Sequence, residues 1–226
     1  MAAAGVPLSG TDAQEPPSRG PHDPGQRAGR FQTVRGPMGL SGWLHYPAAW
    51  WRARRGVTPE RPWIVPAAIG WLGRRIRSDW SILELGAGRS TVWFARRASR
   101  VVSFEDNGFW VERTRERLDE LGLGNAGLRE VAVDELPRAI GSLREASFDL
   151  VVVDFLEAPT VTRIDALKPA MKRVRPGGLL LFDDSDRPGY AEAYELLAGW
   201  KEKRFVGVKD EWPEACETTA FRRPGK

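Results

Sequence analysis

Ile82 to Thr91 reads ILELGAGRST, with a carboxylate, Glu84, two residues ahead of Gly86 and Gly88. Glycines spaced this way after a short apolar run let a ligand come close to the backbone. A phosphate-binding turn does this at a helix N-terminus, where a neighbouring carboxylate would repel the ligand. Glu84 therefore argues against pyrophosphate, and Thr91 stands where a dinucleotide fingerprint needs its third small residue. Glu105 lies 21 residues beyond Glu84, suitably placed for an acid that accepts hydrogen bonds from ribose hydroxyls. Ribose without pyrophosphate, joined to cationic groups, describes S-adenosylmethionine, which carries a sulfonium and an ammonium.

Such residues act together only if a fold brings them to one edge. After Trp80, short apolar runs alternate with amphipathic segments, the pattern of an α/β doubly wound parallel sheet. Strands are expected at Ile82 to Leu85, Val101 to Phe104, Leu128 to Val133, Leu150 to Val153, Leu179 to Phe182, Arg204 to Val208 and Thr218 to Phe221. Helical spacing joins Val111, Thr114, Leu118 and Leu121, then Val161, Ile164, Leu167, Met171 and Val174, then Tyr190, Ala193, Tyr194 and Leu197. In such a sheet ligands bind beyond the carboxyl ends of the strands. The residues there are Glu84, Glu105, Asp134, Asp154, Asp183 and Asp184. Acids make up only 30 of 226 residues, so their recurrence at five strand ends marks a rim that draws a cationic ligand.

The remaining composition bounds the reading. The length suits one domain with a modest extension. Lys plus Arg number 34 against 30 for Asp plus Glu, a formal +4 that reads as solvated surface. Cys216 is alone, so it makes no internal disulfide or cysteine cluster, which fits a reducing, cytoplasmic setting. No leader-like run opens the sequence, and no uncharged run approaches membrane-spanning length. Residues 1–35 are too poor in apolar side chains to offset ordering entropy and are expected to form a disordered tail. Residues 36–80 gather Trp43, Trp50, Trp51, Trp63, Trp71 and Trp80 among many arginines, as an aromatic and basic helical cap before a main domain at 81–223. That cap has three readings: packing against the sheet, a lid that keeps water from an apolar acceptor, or an attachment surface for anionic lipid or a partner protein.

ELGAGRST, followed by VVSFEDN, FDLVVVDF and RPGGLLLFDD, resembles the class I S-adenosylmethionine-dependent methyltransferases over roughly Trp80 to Arg222. The resemblance implies a Rossmann-like seven-stranded sheet in the order 3-2-1-4-5-7-6, the last strand antiparallel, with S-adenosylmethionine across the first two strand ends. It places Glu84 near the methionine portion, lined by Gly86, Ala87 and Gly88, and Glu105 on the ribose. Asp134, or Val133 before it, would contact the adenine, and Asp154 would lie between cofactor and acceptor. The fourth strand is followed by Asp154, Phe155, Leu156 and Glu157 rather than the [DN]-P-P-[YF] of nucleobase amino-methylating enzymes, so DNA is not expected as a partner. Cys216 is too far downstream to be an RNA C5-methylating nucleophile and reads as a small hydrophobe. LLFDDSDRPGY looks more like small-molecule O-methyltransferases. The catechol branch of these binds a divalent cation through positions matching Asp154, Asp183 and Asp184, which would suit magnesium. Glu157 stands where that branch has a catalytic lysine, which leaves metal dependence open.

The resulting expectation is methyl transfer to an oxygen, or less readily a nitrogen, of a small-molecule acceptor, with Asp154 or Asp183 assisting deprotonation. A homodimer is compatible with it. Two other readings stand beside it: an NAD-dependent oxidoreductase on a related sheet, and a non-catalytic module whose basic cap docks nucleic acid or membrane. Of the two histidines, His22 falls in the expected tail, and His45 in the cap reads as structural rather than as a general base.

Overall fold

The computed structural model describes residues 59–210 and 212–225, together with 47, 48 and 51, apart from the side chains of 212–214. The expected tail, both histidines and most of residues 36–58 lie outside the described residues.

Seven strands form one sheet: β1 (Ser81–Leu85), β2 (Arg100–Glu105), β3 (Ala126–Glu130), β4 (Phe148–Val153), β5 (Val174–Asp183), β6 (Lys201–Lys209) and β7 (Trp212–Arg222). Their order is β3-β2-β1-β4-β5-β7-β6. β7 runs antiparallel to both neighbours, and the other pairs are parallel. Among the described residues of 59–225, six helices flank the sheet: α1 (Pro66–Gly73), α2 (Arg89–Ala95), α3 (Gly108–Glu120), α4 (Leu136–Gly141), α5 (Arg163–Arg173) and α6 (Ala191–Leu196). The central strands are nearly continuous apolar runs because helices cover both faces.

Alternation along the strands sorts side chains between two cores. Leu83, Leu85, Phe104, Val151, Val153, Leu180 and Phe182 face α4, α5 and α6. Ile82, Val101, Leu150, Val152 and Leu181 face α1, α2 and α3. On this second face the strand tips change character. Glu84, Ser103, Asp183 and Thr218 follow the apolar positions there, and all four are buried. Burying such groups is costly unless each finds a partner, so the carboxyl edge of this face is a designed polar site.

α1 starts at a proline, a residue that fits the first helical turn, and buries Ala68, Ile69 and Leu72 with Ile64 and Val65 just before it. Burial of aliphatic side chains of this size stabilises by roughly 1.5 to 3 kcal/mol each. Trp71 packs on Phe205 of β6, ring centroids 5.5 Å apart. Between residues 59 and 80 the aromatic side chains thus pack on the sheet.

Two differences from the expected elements have physical causes. β3 ends at Glu130, not Val133, because residues 133–135 turn into a 3-10 helix that leads into α4. As an edge strand, β3 has little buried surface to fix its apolar pattern. β5 begins at Val174, earlier than expected, and passes through Arg175, Pro176, Gly177 and Gly178, with a register shift against β4. Gly177 has φ 75, and a Cβ at Gly178 would meet Arg175 O at 2.9 Å, so the glycines make this irregular start feasible.

Candidate functional site

The glycine turn is pinned from both sides. Gly86 N donates to Phe104 O of β2 at 2.8 Å, and Asp154 N donates to Leu85 O at 3.1 Å. Gly86 sits at φ +95, and a Cβ there would lie 2.1 Å from Asp154 O, so no other residue fits without moving the β4 tip. Gly88 N donates to Thr91 Oγ1 at 3.0 Å as α2 begins.

Two carboxylates hold this turn. Glu105, last in β2, accepts Ala87 N on Oε2 at 2.8 Å and Asn107 N on Oε1 at 3.1 Å. Glu84 accepts Thr91 Oγ1 at 2.6 Å and Ser103 Oγ at 2.7 Å, both on Oε2. Its other oxygen, Oε1, is buried without a hydrogen-bond partner among the described residues. Burial pushes Glu84 up to about 7, partly offset by hydrogen bonds from Ser103 and neighbouring hydroxyls. Glu105 is pushed up to about 8, by burial first and then by the charge of Asp106. Among the described residues neither acid has a lysine or arginine partner. A ligand cation brought here would favour ionisation of both acids, which have no counterion among the described residues.

Asp154 follows β4 and stays half-buried. Its Oδ1 accepts from Arg163 Nη2 at 3.0 Å. Arg163, the first residue of α5, is itself buried and also donates to Phe155 O at 2.9 Å and Asp183 O at 2.8 Å. Glu157 accepts Arg163 N at 2.6 Å and faces Arg187 at 3.4 Å. One arginine thus ties the loop after β4 to the end of β5.

The β5 tip differs from the glycine turn. Asp183 is fully buried and accepts Thr218 Oγ1 on Oδ1 at 2.7 Å, while Oδ2 is in contact with Lys209 Nζ. Asp184, at φ 52, accepts Lys209 Nζ on Oδ1 at 2.7 Å and pairs with Arg187 on Oδ2. Burial pushes Asp184 up, yet Lys209, Arg187 and Arg163 together hold it well below the usual carboxylate range. Burial likewise opposes a charge on Lys209, and Asp183 and Asp184 nevertheless hold it above the usual lysine range, so the ammonium persists. Asp183, raised to about 7 by burial against the pull of Lys209, has its oxygens taken by Lys209 and Thr218. It is enclosed rather than presented to an acceptor.

This arrangement bears on the metal dependence that the sequence left open. Asp154, Asp183 and Asp184 carry the spacing for magnesium, but the oxygens that would ligate it already bond Lys209, Arg163 and Arg187. No group of three or more His, Cys, Asp or Glu side chains among the described residues is arranged to hold a metal ion.

The structure brings Glu84, Gly86, Ala87, Gly88, Glu105 and Asp154 around one turn. Val133 and Asp134 belong to the 3-10 turn after β3, just beyond Val131, whose N donates to Glu105 O at 2.9 Å; Val133 packs on the core and Asp134 is exposed. Sequence reasoning missed Arg163, Arg187 and Lys209. The visible signal for Lys209 was a lysine ending the apolar run Phe205 to Val208. No helix among the described residues is long and apolar enough to cross a membrane.

Residues 83–185 match the family model described as a methyltransferase domain. No curated protein matches the chain. Among solved structures, the O-methyltransferase TomG from Streptomyces achromogenes, in complex with SAM, is similar at 22% identity and TM-score 0.57, covering 85% of this chain and 93% of that one. An O-methyltransferase from Bacillus cereus in complex with SAH is similar at 21% and TM-score 0.56, covering 84% and 94%. The N-methyltransferase NodS from Bradyrhizobium japonicum WM9 is similar at 22% and TM-score 0.53, covering 70% and 93%.

Proposed function

We propose that this chain, a class I S-adenosylmethionine-dependent methyltransferase, passes a methyl group to an oxygen of a small-molecule acceptor. The observation that carries the reading is the pair Glu84 and Glu105 at adjacent strand tips, with the glycine turn between them and no internal cation among their described partners. The unpartnered Oε1 of Glu84 and the remaining lone pairs of Glu105 suit the cationic and hydroxyl groups of that cofactor. When bound, S-adenosylmethionine supplies a methyl group on a sulfonium sulfur, activated for a single displacement.

The chain's own residues then position and desolvate. Ala87 N is held by Glu105, which fixes the turn before any ligand arrives. Asp154, beside the turn and oriented by Arg163, accepts the hydrogen bond of an acceptor hydroxyl and takes its proton. Of the two acids expected to assist deprotonation, Asp154 takes the role in this reading, supported by the enclosure of Asp183 by Lys209 and Thr218. Two structural neighbours named as O-methyltransferases support oxygen as the receiving atom, while NodS keeps nitrogen as the second choice. The test is transfer of labelled methyl to matched panels of small phenols and small amines. Label in the phenols, lost in Asp154→Ala, is expected; label confined to the amines overturns the oxygen assignment.

A further inference from the structure

Four carboxylates and three cations meet where β4, β5 and β6 end. The acids are Asp154, Glu157, Asp183 and Asp184, and the cations are Arg163, Arg187 and Lys209. Lys209 is central. Only 1% of its side chain is exposed, and its Nζ bridges Asp183 Oδ2 and Asp184 Oδ1, the latter at 2.7 Å. It arrives from the far edge of the sheet, since β6 lies beyond β7. A register shift between Val208 and Lys209 breaks the β6–β7 ladder at this residue.

The lysine is then locked from above. The Trp63 ring lies 4.6 Å from Nζ, and Trp63 Nε1 donates to Asp210 O at 2.6 Å. Arg61 pairs with the Asp210 carboxylate at 2.6 Å. Val65 N donates to Thr218 Oγ1 at 3.2 Å, and that hydroxyl donates to Asp183. The segment before α1 and the β6–β7 hairpin therefore close over one ammonium.

A divalent ion at this strand end would take carboxylate oxygens at about 2.0 to 2.6 Å. The oxygens it needs are the two that Nζ bridges, and an ion between them would sit against the ammonium. We propose that Lys209 occupies the position of the divalent cation. It acts as a fixed internal counterion that positions Asp183 and Asp184, and this strand end works without a metal. Arg163 extends the same neutralisation to Asp154 at 3.0 Å. Removal of the ammonium frees the two oxygens it bridges, Asp183 Oδ2 and Asp184 Oδ1, for a divalent ion, while Arg163 and Arg187 keep their contacts with Asp154 and Asp184.

Manganese is the probe, followed by electron paramagnetic resonance on the full chain as wild type and as Lys209→Met, which keeps the length of the side chain and removes its charge. Wild type is expected to show no stoichiometric site below about 1 mM manganese and to keep its melting temperature in EDTA. Lys209→Met is expected to gain a site at least tenfold tighter, and its melting temperature is expected to rise on manganese addition. A role confined to packing would produce neither gain. Stoichiometric manganese in wild type that Asp184→Asn abolishes overturns the proposal, as does a folded Lys209→Met that gains no site. If Lys209→Met does not fold, the wild-type titration decides alone. A parallel titration with S-adenosylmethionine reports on the cofactor site independently, so failure of one reading is distinguishable from failure of the other.

Discussion

The glycine turn and the β5 tip look alike in sequence, each an acid closing an apolar strand, and they are opposite in what surrounds the charge. Glu84 and Glu105 rest on hydroxyls and backbone amides, with no cation among their described partners. Asp183 and Asp184 bond Lys209, and Arg163 and Arg187 complete the neutralisation. At the first end burial favours the protonated acids, which a cationic ligand would ionise, whereas at the second end internal cations already meet the carboxylates. Acidic residues at a strand end therefore mark a polar site but not its purpose, which depends on whether the fold also delivers a counterion.

The largest effect should come from breaking the neutralised end. Lys209→Met removes the cation that the buried Asp183 and Asp184 share, and breaking a buried ion pair typically costs about 3 to 5 kcal/mol. For a chain of this size that is a fall of roughly 10 °C in melting temperature, readable by calorimetry. The glycine turn should be next. Gly86→Ala forces a Cβ against Asp154 O from a backbone at φ +95, for a loss of roughly 2 to 4 kcal/mol by chemical denaturation.

A smaller effect separates ligand binding from stability. Glu105→Ala removes the acceptor for Ala87 N and Asn107 N and should weaken S-adenosylmethionine binding by about 1.5 to 3 kcal/mol, read by calorimetric titration. Lys209→Met, if folded, should leave that affinity far less affected, and an equal loss in both variants would erase the contrast between the two ends.

The pH response of Glu84 and Glu105 is opposite in sign to that of Asp184. Glu84 and Glu105 are raised, to about 7 and about 8, so the folded chain binds more protons than the unfolded one. Their contribution to stability is complete below about pH 4.5 and is lost as pH rises through 7 to 8. Asp184 is depressed, so its contribution is present at neutral pH and is lost only in strong acid. Asp183 shares the sign of Glu84, which is why a variant is needed to isolate the turn. S-adenosylmethionine affinity should rise about tenfold from pH 6 to 8.5 as Glu84 ionises, and Glu84→Gln should flatten that rise. The smallest expected change is at Asp79, paired with Arg77 in the open, where Asp79→Ala should alter stability by less than about 0.5 kcal/mol.

Much of the fold was legible because the central strands are apolar on both faces and end in polar breaks, so Ile82, Leu150 and Leu179 announced themselves. α2 and α4 went unread because seven and six residues are too few to show a period. Residues 131–133 were assigned to β3 because Val131 and Val133 are apolar, although they pack after the strand has ended. Glu84, Gly86 and Glu105 were legible because their chemistry lies within one β-α-β unit. Lys209 was not, because its contact with Asp183 spans 26 residues and depends on β6 pairing beyond β7.

The open acidic end is proposed to receive a cationic nucleoside. Calorimetric titration of the purified chain with S-adenosylmethionine at pH 8, in two buffers of different ionisation enthalpy, tests it most directly. Micromolar binding accompanied by proton release is the predicted result. No heat up to millimolar S-adenosylmethionine, or binding unchanged in Glu84→Gln and Glu105→Ala, would contradict it.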